Sequence, residues 1–209
     1  MTLRLAVVIP SRGLIHSRTI AAVHREADAT GWEWRIFWAH GRPIPACFNE
    51  PAAEAIQWGA DRVWFVEEDM HLPPGILTDL AAAADRGHAF AAADYPVTPA
   101  GTLAANRDGA GVVRYTGTGC LLADAHALNA LLPFTADWQY AIRSGAFVRE
   151  PAQPGAYGLH DVEFGMRLYN AGTPAHVVPT LCSQYRVRRP ATAGTNADGW
   201  HDIRLITDT

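Results

Sequence analysis

Short apolar runs alternate with helical segments over the first 94 residues, and that alternation leaves few folds open. Residues 3–9 are a Val- and Ile-rich run stopped by Pro10. Residues 34–39, 62–66 and 89–93 repeat the theme, with Gly, Pro or Asp close by. Runs of this length bounded by turn formers read as buried strands. Residues 17–30, 49–58 and 76–86 between them read as helices, the first two closed by Gly31 and Gly59. Asn49 is placed to cap the second helix, with Pro51 in its first turn, where a missing N–H does no harm. The order β-α-β-α-β-α-β predicts an α/β domain with a mostly parallel central sheet flanked by helices. Ligands of such sheets bind beyond the carboxyl ends of the strands.

The second half departs from that rhythm. Residues 95–111 read as a Pro- and Gly-rich loop or hairpin, and 112–115 and 120–122 as short strands around Gly117-Thr118-Gly119. Asp124 is a cap for a helix through 132, residues 134–158 read as irregular, 160–171 as a helix and 176–178 as a last strand. The expected organisation is one domain over 1–183, divided near 94/95, with an Arg-rich C-terminal tail over 184–209 that orders on binding.

The hydrophobic content of 49% in 209 residues suffices for one sizeable core. All 17 basic residues are Arg, yet the net charge is −4, so no dedicated nucleic-acid-binding surface is expected. Cys47, Cys120 and Cys182 lie far apart without zinc-type spacing, which fits a reduced, cytoplasmic protein. No apolar run approaches the length of a membrane span.

The third apolar run ends in Glu67-Glu68-Asp69. A carboxylate at the end of a buried strand needs a positive partner. Alternation along a strand would turn Glu67 and Asp69 to one side and Glu68 to the other. Two converging carboxylates are a partial site for Mg2+ or Mn2+, which complete their shells with water and phosphate oxygens. Asp94, after the fourth run, points to the same edge of the sheet.

Residues 49–69, an Asn-bearing helix of small residues leading into a strand and Glu67-x-Asp69, resemble family 2 glycosyltransferases of the GT-A fold. Glu67-x-Asp69 stands where that family carries a D-x-D motif. Val7-Val8-Ile9-Pro10-Ser11-Arg12 resembles its first strand and nucleotide loop, and Gly117-Thr118-Gly119-Cys120-Leu121-Leu122 its acceptor-side glycine segment. Residues 158–172 (GLHDVEFGMRLYNAG) resemble its E-D helix, whose Asp serves as base. The resemblance spans about residues 3–182. It departs at Glu67, at His160 in place of a Glu, and after strand two, where His40-Gly41 replaces an Asp.

The resemblance implies a metal-dependent glycosyltransferase that moves a sugar from a nucleotide sugar, of which a UDP-sugar is the form expected, to an acceptor hydroxyl with inversion. Asp161 is the implied base, with Glu163 as runner-up. Glu67, Asp69 and His201 are the metal candidates, with His176 and Gln184 near the place of the family's late metal-binding His. Pro10, Ser11, Arg12, His40, Asn49, Glu68 and Asp94 are the donor-binding candidates. Trp138 and Tyr140 could stack on a sugar, and Arg186, Arg188 and Arg189 could close over a phosphate. Two alternatives stand: a nucleotidyltransferase, and a non-catalytic nucleotide- or sugar-binding protein on a degenerate GT-A scaffold. The acceptor is left open.

Overall fold

The computed structural model describes residues 2–11, 15–97, 101, 103–135, 137–143, 146–152, 160–188 and 202–205. Its central sheet is built from β1 (Arg4–Ser11), β2 (Glu33–His40) and β3 (Arg62–Val66), with α1 (Ser17–Ala29) and α2 (Ala46–Gln57) as the connections. After the two-residue β4 (Met70–His71) come α3 (Ile76–Asp85) and β5 (Phe90–Asp94). The short pair β6 (Asn106–Arg107) and β7 (Val113–Tyr115) precedes β8 (Cys120–Asp124), α4 (Ala125–Leu131) and the hairpin β9 (Trp138–Arg143) and β10 (Ala146–Pro151). The chain then forms α5 (His160–Asn170), β11 (His176–Leu181), β12 (Ser183–Arg188) and β13 (Asp202–Leu205).

The six-stranded sheet has the order β11-β5-β8-β3-β1-β2. Five of its strands are parallel, and β8 runs antiparallel between β3 and β5. The expected mostly parallel, Rossmann-type sheet is therefore present. Its antiparallel strand comes from the segment in which the βα rhythm breaks.

Both faces of the sheet are buried. On β1, Leu5, Val7 and Ile9 pack with Val23 of α1 and with Ile76, Leu77 and Leu80 of α3. Ala6 and Val8 face the other way, onto Phe48 and Ala52 of α2 and Phe164 of α5. A strand that is apolar on both sides gives a continuous Val/Ile run rather than an alternating one. This is why residues 3–9 could be read directly.

Three local expectations change. The second helix starts at Ala46 behind Pro45, so Asn49 lies inside it and caps nothing. Its amide instead pairs with the backbone of Phe134 in both directions: Oδ1 accepts from the N–H at 2.8 Å and Nδ2 donates to the C=O at 2.9 Å. Residues 134–158 contain the β9–β10 hairpin rather than only irregular chain. Gln184, where the tail was expected to begin, lies in β12, paired with Met70 of β4. Asp124, by contrast, caps α4 as expected, accepting from Ala127 N–H at 2.8 Å.

α3 is capped from another helix. Its N-cap, Gly75, has no side chain to offer. Glu26 of α1, 4% exposed, reaches across and accepts from the N–H groups of Gly75 and Leu77 at 3.2 and 3.3 Å. Replacing Glu26 with Ala leaves the Leu77 N–H buried and unmet, and stability is expected to fall by about 1–3 kcal/mol. Urea denaturation followed by circular dichroism measures this, and an unchanged midpoint would remove the capping role.

Candidate functional site

At the carboxyl ends of the parallel strands the chain forms a cleft of about 590 Å³. Glu67, Glu68, Asp69 and Asp161 all line it, so four carboxylates from two distant stretches of sequence meet there. Pro10 of β1, Phe48 of α2, Tyr95 after β5, His160 of α5 and Gln184 of β12 complete much of the wall.

The acids do not sit as strand alternation predicts. β3 ends at Val66, and Glu68 and Asp69 lie in a turn that leads straight into β4. Glu68 therefore faces the cleft with the other two rather than away from it. Separate segments fix this turn through its backbone. Glu67 N–H donates to Gly119 C=O at 3.1 Å, His16 N–H donates to Glu68 C=O at 2.9 Å, and Tyr185 N–H donates to Asp69 C=O at 2.7 Å. With those carbonyls satisfied from α1's cap and from β12, the turn has little freedom to rearrange. His16 and Tyr185 stack on each other with ring centroids 3.8 Å apart, which joins the two supports.

The glycine segment supports the same turn. Thr118 Oγ1 donates to Glu67 Oε1 at 3.0 Å. The Tyr95 ring lies directly over Gly117 and Gly119, and a Cβ at Gly119 would come within 2.9 Å of that ring. One at Gly117 would overlap the Tyr95 hydroxyl. Glycine is required here for close approach of a ring. Tyr95 accepts from Gly119 N–H at 3.2 Å, and burial, with Glu67 and Asp161 nearby, holds its phenol well above the ordinary value. It is a neutral hydroxyl among carboxylates.

Asp161 stands in the first turn of α5, across from the acid turn. Its Oδ1 accepts from Val162 N–H at 2.7 Å, which favours the carboxylate. Burial outweighs that bond and raises its pKa to about 6. A carboxyl so placed is ionised at neutral pH yet is a stronger base than an exposed one. Glu163, two residues on, is fully buried and held by Arg149 at 3.1 Å and Arg167 at 2.9 Å, away from the cleft. Those ion pairs are its role.

His160 drew notice in the sequence only as a departure from a motif. It lines the cleft at 4% exposure, and neither ring nitrogen has a hydrogen-bond partner among the described residues. An unmet buried polar group costs about 1–3 kcal/mol. Tyr95 was also missed, although an aromatic just past a strand end on the ligand edge is a readable signal.

The remaining candidates lie elsewhere or outside the described residues. Ser11 is buried at the end of β1, in register with His40 of β2, and its C=O accepts from Gly41 N–H at 3.1 Å. Asp94 is 4% exposed, and its Oδ1 accepts from Tyr95 and Ala105 N–H, both at 2.9 Å. Neither Asp94 nor Asn49 is among the described residues lining the cleft. His176 opens β11 at the opposite edge of the sheet, stacked on His88 at 4.2 Å. Trp138 lies beneath the Arg149 guanidinium at 4.0 Å. Arg12, Arg189 and His201 fall outside the described residues, as do the side chains of His40, Tyr140, Arg186 and Arg188.

A hard divalent cation fits this chemistry in part. Carboxylate and amide oxygens of Glu67, Asp69 and Gln184 are suitable donors, and Mg2+ needs only one or two carboxylates when phosphates supply the rest. Among the described residues, no three His, Cys, Asp or Glu side chains form a closed metal cage. The site suits a cation that arrives with a phosphate ligand better than one held by protein alone. Among the described residues, no helix is long and apolar enough to cross a membrane.

No protein-family model matches the chain, and no curated protein does. Among solved structures, A197 from STIV superposes with a TM-score of 0.57 at 17% identity, covering 88% of this chain and 86% of that one. CMP:2-keto-3-deoxy-manno-octonic acid synthetase complexed with CTP gives 0.45 at 11% identity, covering 84% and 89%. A Bacillus anthracis protein assigned as a glucose-1-phosphate thymidylyltransferase, in complex with a sucrose, gives 0.46 at 7% identity, covering 88% and 89%. At these identities the likeness to A197 shows a shared α/β fold, and the two looser likenesses add nothing to that. The resemblance to family 2 glycosyltransferases rests on motifs and architecture, with no family match behind it.

Proposed function

We propose that this chain is a nucleotide-sugar-dependent transferase that moves a sugar onto an acceptor hydroxyl. One observation carries the reading: a carboxyl tuned to about 6 by burial, Asp161, shares a cleft at the ligand edge of an α/β sheet with three carboxylates of a fixed turn. Asp161 accepts the acceptor's proton on a carboxylate oxygen while the acceptor oxygen forms its bond to the anomeric carbon. The bond from that carbon to the diphosphate oxygen breaks on the opposite side, so the nucleoside diphosphate leaves and the configuration inverts. Glu67 and Asp69 would hold Mg2+ or Mn2+, which, when bound, neutralises charge on the departing diphosphate. The fixed turn keeps those carboxylates oriented, and Phe48 and Tyr95 shield the reacting atoms from water.

The test is a panel of nucleotide sugars with Mn2+, with and without chelator, scored by released nucleotide. Chelator-sensitive release of a nucleoside diphosphate is the expected result, and a panel in which every donor stays intact and unbound would end the reading. Nucleotidyl transfer would use the same acids but would release pyrophosphate from a nucleoside triphosphate and a sugar phosphate. A binding protein would retain the nucleotide sugar without product.

Asp69→Ala is expected to lose the metal-dependent part of nucleotide binding while the chain stays folded, because the turn is also held through backbone atoms. Calorimetry with UDP, with and without Mg2+, measures it. Full retention of the metal dependence would remove Asp69 from the site.

A further inference from the structure

The acid turn and the glycine segment meet through side chains as well as backbone. Thr118 Oγ1 lies 3.0 Å from Glu67 Oε1, and the hydroxyl is the donor, because a carboxylate only accepts. Thr118 is 1% exposed, so water does not compete for that bond. Glu67 N–H donates to Gly119 C=O at 3.1 Å, so one three-residue segment grips residue 67 twice. The segment has little room to move. The Tyr95 ring lies against Gly117 and Gly119, where a Cβ would collide with it.

Glu67 lines the cleft beside Asp69. Its side chain has one more rotatable bond than an aspartate, so a loose arm would have to be ordered each time a cation bound. The bond from Thr118 limits rotation of the carboxylate and sets the direction its oxygens take. A carboxylate has about four acceptor directions over its two oxygens, so accepting from Thr118 does not disqualify Glu67 as a ligand. The turn itself is held separately, through backbone bonds with His16, Gly119 and Tyr185. Loss of the Thr118 hydroxyl therefore frees the carboxylate and not the turn.

We propose that Thr118 is a positioning residue for a divalent cation: its hydroxyl holds the Glu67 carboxylate in the conformation that meets Mg2+ or Mn2+ arriving on a diphosphate. Thr118 touches neither the cation nor the nucleotide and acts only through Glu67. The role rests on the reading of Glu67 as a cation ligand, and the experiment separates the two. Groups that orient a metal ligand are worth about 10–100-fold in metal affinity.

Mn2+ is titrated into the full chain with and without UDP, and bound metal is read from loss of the free-ion EPR signal. Wild type is expected to take up Mn2+ when UDP is present. Thr118→Val, which exchanges the hydroxyl for a methyl of similar size, should weaken that uptake about tenfold or more, and Thr118→Ser should restore it to within about threefold of wild type. Thr118→Ala removes the hydroxyl without turning a methyl toward the carboxylate and should match Thr118→Val. Glu67→Gln alone should also weaken uptake. Adding Thr118→Val to Glu67→Gln should weaken it no further, because a residue that acts through another is not additive with it. A purely structural Thr118 would instead give the same loss in both backgrounds. The proposal is overturned by that result, by uptake within about twofold of wild type in Thr118→Val and Thr118→Ala, by a Thr118→Ser variant as weak as Thr118→Val, or by unchanged uptake in Glu67→Gln. Wild type that takes up no Mn2+ with or without UDP ends the metal-dependent transfer reading and this role together. Wild-type uptake that is indifferent to Thr118 ends this role alone.

Discussion

Asp161→Asn is expected to lower the rate of sugar transfer by about 10²–10⁴-fold, the usual worth of a positioned general base, and to leave nucleotide binding intact. Asn keeps the shape and can still accept from Val162 N–H, so α5 should start as it does now. What it loses is the ability to take a proton. The wild-type rate should rise with pH through about 6 as Asp161 ionises, and that inflection should be missing from the residual rate of the variant. Stability should move the other way. The folded pKa of about 6 lies above the ordinary 3.8, so between those values the folded chain binds more protons than the unfolded one. Folding stability then falls as pH rises across that window, and Asp161→Asn flattens the fall. A variant with wild-type turnover, or a wild-type rate flat between pH 5 and 8, would remove Asp161 from the chemistry.

Glu163→Ala is expected to cost about 3 kcal/mol. Glu163 has no exposure, and it joins Arg149 of β10 to Arg167 of α5. Arg167 donates further to the C=O groups of Leu131 and Pro133, so the same network ties α5 to the segment after α4. Removing the carboxylate leaves two guanidinium groups facing each other. Their side chains are 40% and 26% exposed, so each recovers some water, which places the loss at the lower end of the range for a broken buried pair. A domain of this size should melt about 6–12 °C lower. Glu163→Gln should lose less, because its amide can still accept from one Arg. If Glu163→Ala melted with wild type, the ion pairs would be ornamental, and the positioning of α5 would have to come from Phe164 and Leu168 alone.

The two variants separate roles that the sequence placed side by side. Both carboxylates open the same helix, and helix geometry alone decides only that they point in different directions. Asp161 reaches the cleft, while Glu163 reaches Arg167 one helical turn on and Arg149 of β10. The i, i+4 pair with Arg167 is readable from the His160–Asn170 sequence, but the Arg149 partner is not. The acid turn shows the same limit. Its place at the end of β3 could be read from the chain, but the direction of Glu68 could not. The strand stops at Val66, and contacts from His16, Gly119 and Tyr185 hold the turn. Asn49 looked like a cap because of Pro51 beside it. It became a clamp on Phe134 because a residue 85 positions away offers a free backbone edge.

Local physics therefore determined a great deal unaided. The two-sided burial of β1, β3 and β5, the α1 and α3 boundaries, the Asp124 cap and the ligand edge of the sheet all follow from apolar runs and turn formers, which act over a few residues. The antiparallel insertion of β8, the capping of α3 by Glu26 and the meeting of four carboxylates were decided by tertiary structure. So was the isolation of His160 among rings. Each of these depends on desolvation or on a hydrogen-bond partner far away in the chain, and such terms have no value until the chain has packed.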